Sequence, residues 1–145
     1  MKTSDRPVVV SESFNASALT IWKAITELDQ MKKWFFTNIP SFKPEEGFTT
    51  EFIVENEDRI FPHLWKIKEV RPLKKIVYNW RYKGYMGIAE VTFEIFETPT
   101  NTELEVSHKI LADFDSSIPE FTVKNCHQGW TYFIKERLKD FIKRH

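Results

Sequence analysis

One cysteine, four glycines and no surplus of charge of either sign are the scarcities of this 145-residue chain. Each closes off a class of function. The lone Cys126 cannot form an internal disulfide or a thiolate metal cage, and so Cys-poor a composition fits a reducing compartment. With so few glycines, neither the GxGxxG fingerprint nor a P-loop occurs, and no nucleotide or other cofactor is expected. Lys plus Arg number 21 and Asp plus Glu 21; a chain of zero net charge offers no broad positive field to a phosphate backbone or an anionic bilayer. Neither nucleic acid nor membrane is expected as a partner. No segment approaches the ~20 apolar residues of a membrane span, and Met1 to Val10 holds no apolar run of signal-peptide length. A cytoplasmic location is expected. His63, His108 and His127 show no short ligand spacing, so no metal site is expected either.

Aromatic residues, by contrast, are abundant: 13 Phe, 5 Trp and 4 Tyr make up 15% of the chain. These side chains bury large areas while losing few rotors, so the interior is built from big rigid pieces that either pack directly or line a space. Deciding between the two is the functional question. The length suits one domain spanning residues 1–145.

Along the chain, Arg6 to Phe14 with its Val8–Val10 run reads as a strand, and Asn15 and Ser17 are residues of the kind that cap helices. Leu19, Ile21, Trp22, Ile25 and Leu28 then recur at helical spacing. Asp29 stands as the N-cap of a second short helix through Trp34, with Pro40 and Pro44 beyond it. After Gly47 the period changes to two. Strands are expected over Phe48–Glu55, Arg59–Val70, Ile76–Tyr82, Ile88–Glu97 and Thr102–Leu111, with Thr50, Phe52, Trp65, Ile67, Tyr78, Trp80, Val91, Phe93, Val106 and His108 on the inward phase. The longest helical pattern runs from Pro119 to about Lys143, with Ser117 as its N-cap and a basic C-terminal end that suits the helix dipole. The layout is α+β, with helices on one face of a curved antiparallel sheet of about six strands.

That order, with the words Ile21-Trp22-Lys23-Ala24-Ile25-Thr26, Met31 to Phe35, Ile76-Val77-Tyr78-Asn79-Trp80-Arg81, Val91-Thr92-Phe93, Thr102-Glu103-Leu104 and Gln128-Gly129-Trp130, resembles the START-like, or birch-pollen-allergen-like, superfamily (SRPBCC). Within it the chain is most similar to the homologues of the activator of heat-shock protein 90 ATPase, from about Val9 to Phe141. The resemblance implies a helix-grip fold, in which the sheet wraps a long C-terminal helix, and a hydrophobic cavity between the two. Members of the superfamily use that cavity for lipids, sterols, polyketides and other apolar ligands, and some are enzymes. The chaperone activators carry this domain beside a separate N-terminal domain.

Three readings of function follow. The first is a small-molecule binding protein whose hydrophobic or aromatic ligand (lipid-like, sterol-like or polyketide-like) is lined by Trp34, Phe52, Trp65, Tyr78, Trp80, Phe93, His108, Trp130 and Phe133; the same aromatics could instead simply fill the core. The second is a chaperone-associated protein-interaction module presenting Trp34, Phe35 and Phe36 as an exposed patch. The third is a cofactor-free enzyme acting on an aromatic or polyketide-like substrate, with His108 or Tyr78 as acid and base. No catalytic set stands out. Ser107 points away from His108, and Cys126 lies on an apolar helical stripe as a buried thiol. His108 is a polar anchor or a satisfied core histidine. Gly129 inside a helix costs about 1 kcal/mol relative to Ala, which calls for close packing at that point or a ligand beside it. The chain is expected to be a monomer, or a homodimer through an edge strand.

Overall fold

The computed structural model describes every residue from Met1 to His145. β1 (Val8–Phe14) leads into α1 (Ala18–Thr26), whose N-cap Ser17 accepts the Thr20 N–H at 3.1 Å through its hydroxyl. Ile21, Ala24 and Ile25 turn the buried face of α1 to the sheet. The helix stops earlier than the sequence suggests. The Thr26 hydroxyl donates back to the Trp22 carbonyl at 2.6 Å, and Glu27 is already extended. Leu28 therefore starts α2 (Leu28–Trp34) rather than ending α1, and Asp29 lies in the first turn of α2 instead of capping it. A carboxylate there still complements the positive end of the helix.

The remaining strands are β2 (Thr49–Asn56), β3 (Arg59–Arg71), β4 (Lys75–Tyr82), β5 (Ile88–Glu97) and β6 (Thr102–Ala112). They form one antiparallel sheet in the order β1-β6-β5-β4-β3-β2. Alternation decides the faces: in β5, Ala89, Val91, Phe93 and Ile95 are buried, and in β6, Leu104, Val106, His108 and Ile110. Register brings His63 opposite Tyr82, Trp65 opposite Trp80, Tyr78 opposite Val91, and Val91 opposite His108 on the covered face. At the β4–β5 turn, Gly87 has φ +113°, and a Cβ there would stand 2.5 Å from the Phe114 ring. Only glycine lets Phe114 close that end of the core.

The C-terminal helix lies across the covered face and departs from the sequence reading at two points. Ser117 does not cap it, because its hydroxyl donates to Asp115 at 2.6 Å. Pro119–Phe121 forms a single 3₁₀ turn, and Thr122 caps α3 (Val123–Thr131) by accepting the Asn125 N–H. Midway, Tyr132–Leu138 widens into π-helix before α4 (Lys139–Arg144) resumes the α form. Ile134, Leu138 and Phe141 are buried along this length. No helix is long and apolar enough to cross a membrane.

Candidate functional site

Between the sheet and α3 lies a cavity of about 150 Å³. β3 contributes His63, β4 Trp80 and Tyr82, β6 His108, α3 Cys126, Gly129 and Trp130, the π-helical segment Phe133, and the chain after α2 Phe36; Met1, Glu120 and Asn125 complete the lining. The walls are aromatic: Trp80 and Trp130 meet at 5.6 Å between ring centroids, Phe36 and Phe133 at 5.0 Å, His63 and Tyr82 at 4.7 Å. Each imidazole flanks Trp80, His63 at 5.6 Å and His108 at 6.3 Å.

The hydrogen bonds at the walls set the polarity of the site. The Trp130 indole N–H, which can only donate, reaches His108 Nδ1 at 3.0 Å. His108 Nδ1 is thus the acceptor nitrogen, and in the neutral ring the proton sits on Nε2, which is buried and has no partner. His63 is arranged the other way round. Its Nδ1 faces the Phe61 carbonyl at 2.9 Å and must donate, which leaves Nε2 as a lone pair. Burial pushes both imidazoles down to about 4, so both are neutral near pH 7. The Trp80 indole donates to the Tyr82 hydroxyl at 2.9 Å, and the phenolic hydrogen is left free. Burial pushes the Cys126 thiol up to about 12, which makes it a poor nucleophile at neutral pH. At the rim the Glu120 carboxylate is held by Arg59 at 2.8 Å and by Asn56. The Met1 amino group donates to the Phe121 carbonyl at 2.6 Å.

Next to this hollow the interior is filled. Phe35, at the end of α2, stacks on Trp34 at 4.7 Å and 10°, lies 5.6 Å from Trp65 and meets Phe133 edge-on at 4.9 Å. Phe42 covers Tyr78 at 5.8 Å. The Tyr78 hydroxyl, the Trp65 indole N–H and the Thr50 hydroxyl are buried there without partners, and desolvation holds the Tyr78 phenol well above its ordinary range.

The structure thus divides the residues singled out from sequence. Trp80, His108, Trp130 and Phe133 border the cavity, whereas Trp34, Phe52, Trp65, Tyr78 and Phe93 sit in the filled core around it. The exposed patch expected at Trp34, Phe35 and Phe36 is absent. Trp34 and Phe35 are 0% and 4% exposed, since the Trp34 indole donates to the Ala24 carbonyl at 2.7 Å and Phe35 is the hub of the aromatic stack. Cys126 is partly buried and borders the cavity rather than lying deep in packing. No close approach accounts for Gly129: nothing lies within 4 Å of the place a Cβ would take, and the residue faces the hollow. Among the lining residues outside the ligand set read from sequence, with Phe36 and Tyr82, His63 is the one that brings a ring nitrogen to the wall. Its signal was present, because Phe61, His63, Trp65 and Ile67 share one phase of β3 and all are buried. Nowhere do three or more His, Cys, Asp or Glu side chains gather in a metal-binding cluster.

Comparisons with known proteins agree on the architecture. DynU16, a protein of the dynemicin biosynthetic locus, superposes with a TM-score of 0.76 at 22% identity over 96% of this chain; the chain spans 48% of DynU16. Protein CV1439 from Chromobacterium violaceum gives 0.77 at 16% identity, covering 95% of this chain and 97% of its own. The Aha1 dimer from Colwellia psychrerythraea gives 0.72 at 21% identity, covering 94% and 95%. At these identities the likeness shows the helix-grip fold alone. No curated protein matches the sequence. The family described as activator of Hsp90 ATPase homolog 1-like protein matches residues 15–143, nearly the whole chain, and the protein belongs to that family within the START-like superfamily.

Proposed function

We propose that this protein binds a small aromatic molecule in the cavity between sheet and α3. The observation that carries the reading is the cavity itself: about 150 Å³ of space walled by Trp80, Trp130, Phe36 and Phe133, with a buried His108 nitrogen that has no partner in the protein. Ligand sites are typically clefts with aromatic walls and a few convergent polar groups, and a buried unpartnered nitrogen at such a wall calls for a partner. The volume sets the size. A cavity of about 150 Å³ accepts a single benzene-sized ring, while larger ligands such as sterols need pockets nearer the ~300–1,000 Å³ range. Of the ligand classes read from sequence, the aromatic one is supported and the sterol-like one is not. The family and its fold are consistent with ligand binding.

The test is calorimetric titration with toluene, paired with a thermal-shift measurement. Saturable one-to-one binding and a rise in Tm are expected. Gly129→Leu, which projects a side chain into the hollow from a helix that tolerates it, is expected to abolish binding while the protein stays folded. Absence of toluene binding to the native protein sinks the proposal.

A further inference from the structure

The two imidazoles differ in a way that goes beyond a greasy pocket. Each has one ring nitrogen committed to a protein partner, and the partners have opposite character: an obligate donor, the Trp130 indole, for His108 and an obligate acceptor, the Phe61 carbonyl, for His63. The free nitrogens are therefore opposite too, an N–H on His108 and a lone pair on His63. Both rings are 5% exposed, and both border the cavity on either side of Trp80. The His108 N–H is buried without a partner in the protein, so an occupant that accepts from it relieves a lost hydrogen bond, and one that also donates to the His63 lone pair is favoured over one that merely fills the space.

Resting on the reading above, we propose that the cavity selects an uncharged single-ring molecule whose hydroxyl accepts a hydrogen bond from His108 Nε2 and donates one to His63 Nε2, with phenol as its simplest form. The Tyr82 hydroxyl accepts from Trp80 and keeps its own hydrogen, which makes it a further donor at the cavity wall. Anionic rings are disfavoured. Both imidazoles are neutral near pH 7, so neither offers a cation to an anionic ring; at the rim Glu120 is held by Arg59 and Asn56, and the Met1 ammonium donates to the Phe121 carbonyl. A carboxylate placed between His63 and His108 would lose its hydration without an imidazolium to pair with.

The experiment is a calorimetric series on the full chain at pH 7.5 with toluene, anisole, phenol and benzoate. Each added hydrogen bond is worth roughly fivefold in affinity. Anisole, which only accepts, is expected to bind more tightly than toluene, phenol more tightly than anisole, and benzoate most weakly. His63→Phe is expected to bring phenol down to the level of anisole and to leave toluene within about twofold. Equal binding of toluene and phenol overturns the inference and leaves the aromatic-binding function standing. Benzoate binding as tightly as phenol also overturns it. No binding by any member, toluene included, removes both. The ligand series on the native protein decides the matter even if His63→Phe fails to fold.

Discussion

The interior holds two neighbourhoods made from the same residue types. Around Phe35, the rings of Trp34, Trp65 and Phe133 close on one another and leave nothing to fill. A few ångströms away, Trp130, His63 and His108 lie 5.6, 5.6 and 6.3 Å from Trp80, and these rings border a hollow. What separates them is one short element. The end of α2 and the chain after it deliver Phe35 and Phe42 into the first neighbourhood, and Phe36 forms a wall of the second. Aromatic composition alone therefore does not distinguish a plug from a pocket; the position of the covering segment does.

The largest expected effect separates the neighbourhoods by pH. His63 and His108 border the hollow and are held at about 4 against an ordinary value of 6.5. Between these two values the unfolded chain takes up protons that the folded one refuses, so stability is intact above pH 6.5 and is lost as pH falls toward 4. Each imidazole contributes about 3 kcal/mol to that loss. Urea unfolding across pH 4 to 7.5 checks it, and His63→Phe with His108→Phe should flatten the curve over this range. A curve as steep as that of the native protein would place the titration elsewhere.

Phe35→Ala comes next. Truncating the hub is expected to cost about 3–5 kcal/mol and to open space in the filled side, read as a fall in the urea midpoint together with new binding of a two-ring probe such as naphthalene. Trp130→Phe keeps most of the ring but strands His108 Nδ1, for an expected loss of about 1–3 kcal/mol by urea unfolding. That variant should also weaken the preference for phenol over toluene, since the His108 tautomer is no longer fixed. Gly129→Ala has the opposite sign. With nothing near the added methyl, the helix is expected to gain about 1 kcal/mol, seen as a higher Tm, while toluene affinity falls as the hollow narrows.

Much of this architecture was legible in the sequence because period-two alternation is a local property. Leu104, Val106, His108 and Ile110 announce the inner face of β6 without any knowledge of the fold. The long C-terminal helix and the two short ones are equally local, apart from their ends. Ser117 and Asp29 are good capping residues, yet Ser117 is captured by Asp115 and Asp29 falls inside α2. The site was half legible, for the reverse reason. Trp80, His108, Trp130 and Phe133 were found by phase, but the phase of β4 and β5 equally nominates Tyr78 and Phe93, which Phe42 and Phe35 cover. Covering is a long-range fact. His63 was weighed only against metal-ligand spacing, although the strand expected over Arg59–Val70 runs through Pro62, which pairs with Ile53, and keeps His63 on the buried phase.

The bond between the Trp130 indole and His108 has one more consequence, an optical one. Of the five tryptophans, Trp80 and Trp130 border the hollow, while Trp22, Trp34 and Trp65 do not. An imidazolium beside an excited indole quenches it, and a ring in the hollow changes the polarity that Trp80 and Trp130 sense. The protein thus carries its own fluorescent reporter: occupancy reads as a shift in emission, and protonation of His108 as a dimming that Trp130→Phe removes. Absence of that dimming in the native protein, while it remains folded, would place His108 out of contact with the light-absorbing ring.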